Sequence, residues 1–163
     1  MTARAVCLGK RSAALRPTLD QLVALSAEVF RLTDATVRGI PATVFAERDV
    51  SGTAVLLHTG WDRHFGTEQY GEPAPFLSEE GAAYLVEQGV RLVGIDSVNI
   101  DDTSREAGGR RPAHSLLLAA GVPVVEHLTN LGQVPTSGAM FSAVPPKVER
   151  FGTFPVRAFA VLP

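Results

Sequence analysis

Short apolar runs separated by polar, glycine-bearing stretches recur along this chain. Thr53-Ala54-Val55-Leu56-Leu57-His58 is apolar at consecutive positions, which predicts a strand covered on both faces and therefore central. Arg91-Leu92-Val93-Gly94-Ile95-Asp96 predicts the next strand, and Val124-Val125 opens a short buried one. Residues 29–37 alternate enough to be a strand, and residues 139–144 and 156–162 predict two more in succession. Helical signals fall between them. Ser78 can cap a helix with Glu79 and Glu80 in its first turn, Ala82, Ala83, Leu85 and Val86 on its buried side, and Gly89 at its end. Pro112 suits the first position of a second helix, Gly121 can end it, and Pro123 bars its continuation. Residues 41–48 predict a short helix, and the long loop 59–77 carries Trp, Tyr, Gly and Pro. Helix–strand units followed by two consecutive strands predict an α/β fold, a mixed β-sheet with helices packed on it. Its core strands should lie near Val55, Val93, Val124, Phe141 and Ala158.

Composition bounds the function classes. The chain has 163 residues, 45% hydrophobic and 20% charged, enough for one domain with a sizeable core. Residues 1–28 are expected to form a peripheral or poorly ordered segment, and residues 29–163 the domain proper. A net charge of −2 offers no electrostatic attraction for nucleic acid or an anionic membrane. No apolar run approaches the ~20 residues of a membrane span, and the N-terminus lacks a secretory apolar core, so a cytoplasmic protein is expected. The single cysteine, Cys7, excludes an internal disulfide and a cysteine zinc cluster.

Candidate chemistry centres on His114 and Glu126. The first falls in the opening turn of the second helix and the second ends the strand that follows. If the helix folds back along the strand, both side chains reach one rim of the sheet. They could bind a metal or move a proton; equally, each could be a surface residue in a structural ion pair. His58 ends the central strand and can project into a cleft. Trp61, the only tryptophan, could wall an aromatic-binding pocket or anchor its loop on the core. Asp96 follows a strand, where a carboxylate can contact metal or hydroxyl groups or tie down a loop through the backbone. A loop-tying role suits Asp101 and Asp102 better. No Gly-x-Ser-x-Gly elbow is present.

Several stretches together resemble one family. They are Ala54-Val55-Leu56-Leu57-His58-Thr59-Gly60-Trp61-Asp62, Leu92-Val93-Gly94-Ile95-Asp96-Ser97, Pro112-Ala113-His114, Val122-Pro123-Val124-Val125-Glu126-His127-Leu128, and residues 151–162. In this order they resemble the cyclase family of metal-dependent hydrolases, the kynurenine formamidase-like and isatin hydrolase-like enzymes. The resemblance implies a swivelling β/β/α fold, usually dimeric, and hydrolysis of an aryl formamide, lactam or similar small amide or ester with zinc or manganese. By position, His114 and Glu126 match the family's C-terminal metal-site pair; Trp61, His58 and Asp96 are the substrate-side candidates read from the residues themselves. The family's His-x-Gly-Thr-His-x-Asp-x-Pro string does not occur in the sequence. The expectation is therefore an N-terminally shortened cyclase-like domain, a homodimer that covers its strand edges, and a small-molecule substrate. The alternative is a metal-free, inactive relative serving as a structural or binding subunit.

Overall fold

The computed structural model describes residues 5–7, 18–146 and 153–163, the first three by their backbone. Of the stretch expected to be peripheral or poorly ordered, residues 1–28, residues 1–4 and 8–17 lie outside the described residues. Among the described residues, ten strands and two α-helices follow in chain order: β1 (Ala5–Cys7), β2 (Leu25–Arg31), β3 (Gly39–Ile40), β4 (Ala54–His58), β5 (Phe76–Leu77), α1 (Glu79–Glu87), β6 (Leu92–Ile95), α2 (Pro112–Ala119), β7 (Val124–Glu126), β8 (Ala139–Ala143), β9 (Thr153–Phe154) and β10 (Ala158–Val161). Eight strands make one mixed sheet in the order β10-β8-β2-β4-β6-β7-β1-β9. Its centre, β2-β4-β6-β7, is parallel, while β8, β10, β1 and β9 join antiparallel. β3 and β5 form a separate parallel pair.

The parallel centre follows from the helix crossovers. Strands β4, β6 and β7 are each separated by a helix, and a helical crossover returns the chain in the same direction. Ser78 caps α1 as expected: its Oγ accepts the Gly81 N–H at 3.0 Å. Pro112 occupies the first turn of α2, and Gly121 leaves it at φ +75°. Ala82 and Leu85 of α1 and Ala113 and Leu117 of α2 pack on Val55, Leu57, Val93, Ile95 and Val124. The alternate residues, Leu56, Leu92 and Val125, face a second core with Leu128, Leu131, Val134 and Phe141. Apolar residues on both faces therefore mark β4 as a strand with two covers. Gly94 permits this: a Cβ there would meet Leu128 and Leu56 side chains at 2.7 and 2.8 Å.

Two elements differ from the sequence reading. The strand expected over 29–37 runs over Leu25–Arg31 instead, because Leu25, Ala27 and Val29 alternate into the second core. Beyond Arg31 the chain turns, with the Ala35 N–H donating to Leu32 O at 3.3 Å. The helix expected over 41–48 is a single 3-10 turn, Ala42–Phe45, whose centre holds two β-branched residues of low helix propensity. At the other end of the chain, β1 pairs with β7 inside the large sheet.

Candidate active site

The parallel strands end at one rim, and side-chain alternation divides that rim between two faces. Glu126 follows Val124 in β7 and projects to the helix-covered face. His114, in the first turn of α2, meets it there: its Nε2 lies 3.6 Å from Glu126 Oε1. The loop between β6 and α2 brings in a third group. Asp101 Oδ2 accepts from His114 Nδ1 at 2.6 Å and from the His114 N–H at 3.3 Å, while its Oδ1 accepts the Ala113 N–H at 2.7 Å. Glu126 Oε1 also accepts the Ile100 N–H at 2.8 Å, so the same loop fixes the carboxylate. All three are buried, at 2% exposure for Asp101, 5% for Glu126 and 7% for His114.

His58 follows Leu56 in β4 and projects to the opposite face. There Arg31, at the end of β2, approaches His58 Nδ1 at 2.9 Å. The Arg31 guanidinium donates to Leu131 O at 2.6 Å and also to Gly132 O and Val134 O. Arginine has no acceptor, so His58 Nδ1 accepts and the ring is held against the 131–134 segment. A Cβ at Gly132 would stand 3.4 Å from the imidazole.

Asp96 is fully buried, and its carboxylate is committed to the loop that follows β4. It accepts from Thr59 N–H at 2.9 Å, Thr59 Oγ1 at 2.5 Å and Gly60 N–H at 2.8 Å. Burial pushes its carboxyl above the usual range, against these hydrogen bonds, which favour the charged form. Trp61 lies in that loop, half-buried, donating its indole N–H to Tyr70 O at 3.3 Å and meeting the His64 ring edge-on. Two contacts not read from sequence tie the loop to the segment after β7. The Tyr70 hydroxyl and His127 Nδ1 are 2.8 Å apart, and the Asn130 N–H donates to Asp62 Oδ2 at 3.0 Å. Both His127 and Asn130 hold left-handed backbone, at φ +57° and +60°.

Of the residues singled out in the sequence, the structure brings His114 and Glu126 together. His58 and Asp96 support other parts of the rim, and Trp61 is packed in its loop. Asp101, which the sequence suited to tying down a loop, is the third member of the helix-face cluster; loop 97–111 has no period that predicts its direction towards His114. Its only sequence signal is a carboxylate shortly before a helix whose N-cap residue is Arg111, which makes no side-chain cap.

His114 and Glu126 have the donor chemistry of a divalent-metal site. These two donors, 3.6 Å apart, would hold a divalent ion, which would supply Lewis-acid chemistry there. The ring nitrogen on the far side is held by a carboxylate, the usual support for a ligating histidine. The pair fits as part of a site: among the described residues, no group of three or more His, Cys, Asp or Glu is placed to hold an ion. A neighbouring cavity of about 310 Å³ is lined by residues that include Asp101, Asp102, Glu106, Arg110 and Phe76. No helix among the described residues is long and apolar enough to cross a membrane.

Comparison with known proteins fits this architecture. The chain is 32% identical over 123 residues to isatin hydrolase of Roseibium aggregatum, covering 69% of this chain and 46% of that one. It is 35% identical over 109 residues to kynurenine formamidase of Geobacillus thermodenitrificans, covering 65% and 48%. The chain thus spans about half the length of the curated relatives it matches. Among solved structures, an isatin hydrolase bound to the product analogue thioisatinate superposes with TM-score 0.86 at 23% identity, covering 98% of this chain and 71% of that one. A potential metal-dependent hydrolase with cyclase activity superposes at 0.69 with 26% identity, covering 96% and 76%. The sequence model of the cyclase family matches residues 4–102, and together with the shared fold this shows that the chain belongs to the cyclase family.

Proposed function

We propose that this chain acts as a hydrolase, opening the C–N bond of an aryl formamide, a lactam or a similar small amide, or the C–O bond of an ester, with zinc or manganese. The observation that carries the reading is the buried approach of His114 Nε2 to Glu126 Oε1 at 3.6 Å. The names of the relatives, isatin hydrolase and kynurenine formamidase, supply the substrate class. A divalent ion in such a site lowers the pKa of water towards neutrality and polarises a carbonyl. His114 and Glu126 are the donors this chain offers to that ion. Glu126, oriented by the Ile100 N–H, is also the base placed to take a proton from water and return it to the leaving nitrogen. Trp61 walls the aryl side of the substrate in this reading, while Asp96 and His58 shape the loops that present it.

The reading includes a cytoplasmic homodimer. Its support is the edge strand β10, where Phe159 and Val161 are 46% and 58% exposed, with Met140 beside Val161 on β8. The second reading is a metal-free, inactive relative serving as a structural or binding subunit. The deciding experiment is an isatin and aryl formamide hydrolysis assay with added zinc or manganese, comparing wild type, His114→Ala and Glu126→Gln. Turnover lost in both variants supports the hydrolase. Equal rates in wild type and variants remove the pair from catalysis, and no turnover by any form supports the second reading.

A further inference from the structure

From the ties that join the Trp61 loop to the segment after β7, we infer that Asp62 is a positioning residue for the aryl side of the substrate: it holds Trp61 at a fixed separation from Glu126. The inference rests on the proposed role of Trp61 as the aryl wall and extends it to the neighbouring carboxylate.

Trp61 is anchored on both sides in sequence. Before it, Asp96 accepts the Thr59 and Gly60 N–H groups, and Gly60 turns at φ +73°. That anchor fixes where the loop leaves β4. It does not fix how the loop lies against β7. Asp62 does: its Oδ2 accepts the Asn130 N–H at 3.0 Å. A hydrogen bond to an ionised acceptor is roughly twice as strong as a neutral one. Asn130 stands four residues beyond Glu126, at φ +60°. A non-glycine residue in that region is held there by its surroundings. Just beyond it, Leu131 O, Gly132 O and Val134 O accept from the Arg31 guanidinium. Asn130 therefore lies between two fixed points, the end of β7 and the Arg31 grip, and Asp62 takes its position from them. The indole itself reaches the same segment through Tyr70: its N–H donates to Tyr70 O at 3.3 Å, and the Tyr70 hydroxyl lies 2.8 Å from His127 Nδ1. An aryl ring lying on Trp61 carries its amide carbonyl at a distance set by the substrate. That carbonyl meets Glu126 only while the indole and the carboxylate keep one separation, and orientation of this kind carries large factors in catalysis. Loss of the Asp62 tie therefore acts on substrates that use the aryl wall more than on those that lack a ring.

The test compares Asp62→Ala with Asp62→Asn, because an asparagine oxygen can still accept the Asn130 N–H. Binding of formanilide is read from the emission of Trp61, the only tryptophan, so turnover is not needed. Asp62→Ala is expected to bind formanilide about 3- to 10-fold more weakly, the worth of one hydrogen bond, and Asp62→Asn to stay within about 2-fold of wild type. In the hydrolysis assay the ratio of kcat/KM for formanilide to that for N-methylformamide should fall by the same factor in Asp62→Ala, through KM; a merely structural role would lower both substrates alike. Asp62→Ser takes the place of Asp62→Ala if the latter does not fold. Wild-type affinity in Asp62→Ala overturns the inference. So does an equal loss in Asp62→Asn, an unchanged substrate ratio, or a folded wild type that does not bind formanilide. Absence of turnover alone strikes the hydrolase reading and leaves the binding result standing, so the two readings fall separately.

Discussion

The two faces of the strand rim are built in contrasting ways. On the helix face, Asp101, His114 and Glu126 come from one continuous stretch, β6–loop–α2–β7, and the closest contact joins residues 13 apart in sequence. On the opposite face, Arg31 binds His58, 27 residues on, and the carbonyls of Leu131, Gly132 and Val134, 100–103 residues on. The first arrangement leaves a buried acid–imidazole–acid row facing the ends of the strands. The second spends its charge on backbone carbonyls and closes a loop over the core. Proximity of histidine and charge at the same rim is therefore not enough to mark a catalytic group; the face it projects to and what its nitrogens already bond decide.

The sharpest way to break this comparison is through turnover. His114→Ala or Glu126→Gln should lower hydrolysis by about 10²–10⁴-fold, the usual worth of a positioned acid–base group. His58→Gln should leave kcat within a few-fold, and a loss equal to that of His114→Ala would erase the distinction between the faces. On stability the order should invert. Arg31→Met removes a guanidinium bonded to three carbonyls and should cost about 1–3 kcal/mol in urea unfolding. A cost under about 0.5 kcal/mol would show that the 131–134 loop holds itself.

Asp96→Asn should cost a similar or smaller amount, about 1–3 kcal/mol, because one amide oxygen cannot accept what two carboxylate oxygens now accept from Thr59 and Gly60. Its specific sign is a shift in the fluorescence of Trp61, the only tryptophan; an unchanged spectrum would detach the loop from Asp96.

The smallest effect is in pH dependence, and its sign separates two aspartates. Burial raises Asp96, so its folded state holds the proton more tightly than the unfolded chain; this stabilisation is present at low pH and lost as pH rises through the raised value. For Asp102, burial is outweighed by hydrogen bonds from Ser104 and Arg38, which lower it. Its stabilisation is present above the ordinary carboxylate range and lost as pH falls through the lowered value. Carboxyl ¹³C titration should place Asp96 above Asp102; the reverse order would contradict both environments.

The sequence by itself determined what depends on neighbouring residues. The Ser78 cap, Pro112 at the start of α2, the stops at Gly89 and Gly121, and the apolar runs at Val55 and Val93 are local signals, and each fixes a stretch of backbone by sterics or hydrogen bonding. Because α2 and β7 are adjacent and joined by a short turn, the meeting of His114 with Glu126 was also within reach of the sequence. Only the tertiary structure decided the rest. Asp101 reaches His114 through a loop without period, so no spacing rule could aim its carboxylate. The commitment of Asp96 to Thr59, of Arg31 to the 131–134 carbonyls and of Tyr70 to His127 depends on strands ordered β2-β4-β6-β7, which brings distant loops to one rim. A strand's period of two tells which residues share a face, but only the packed sheet tells which face the chemistry is on.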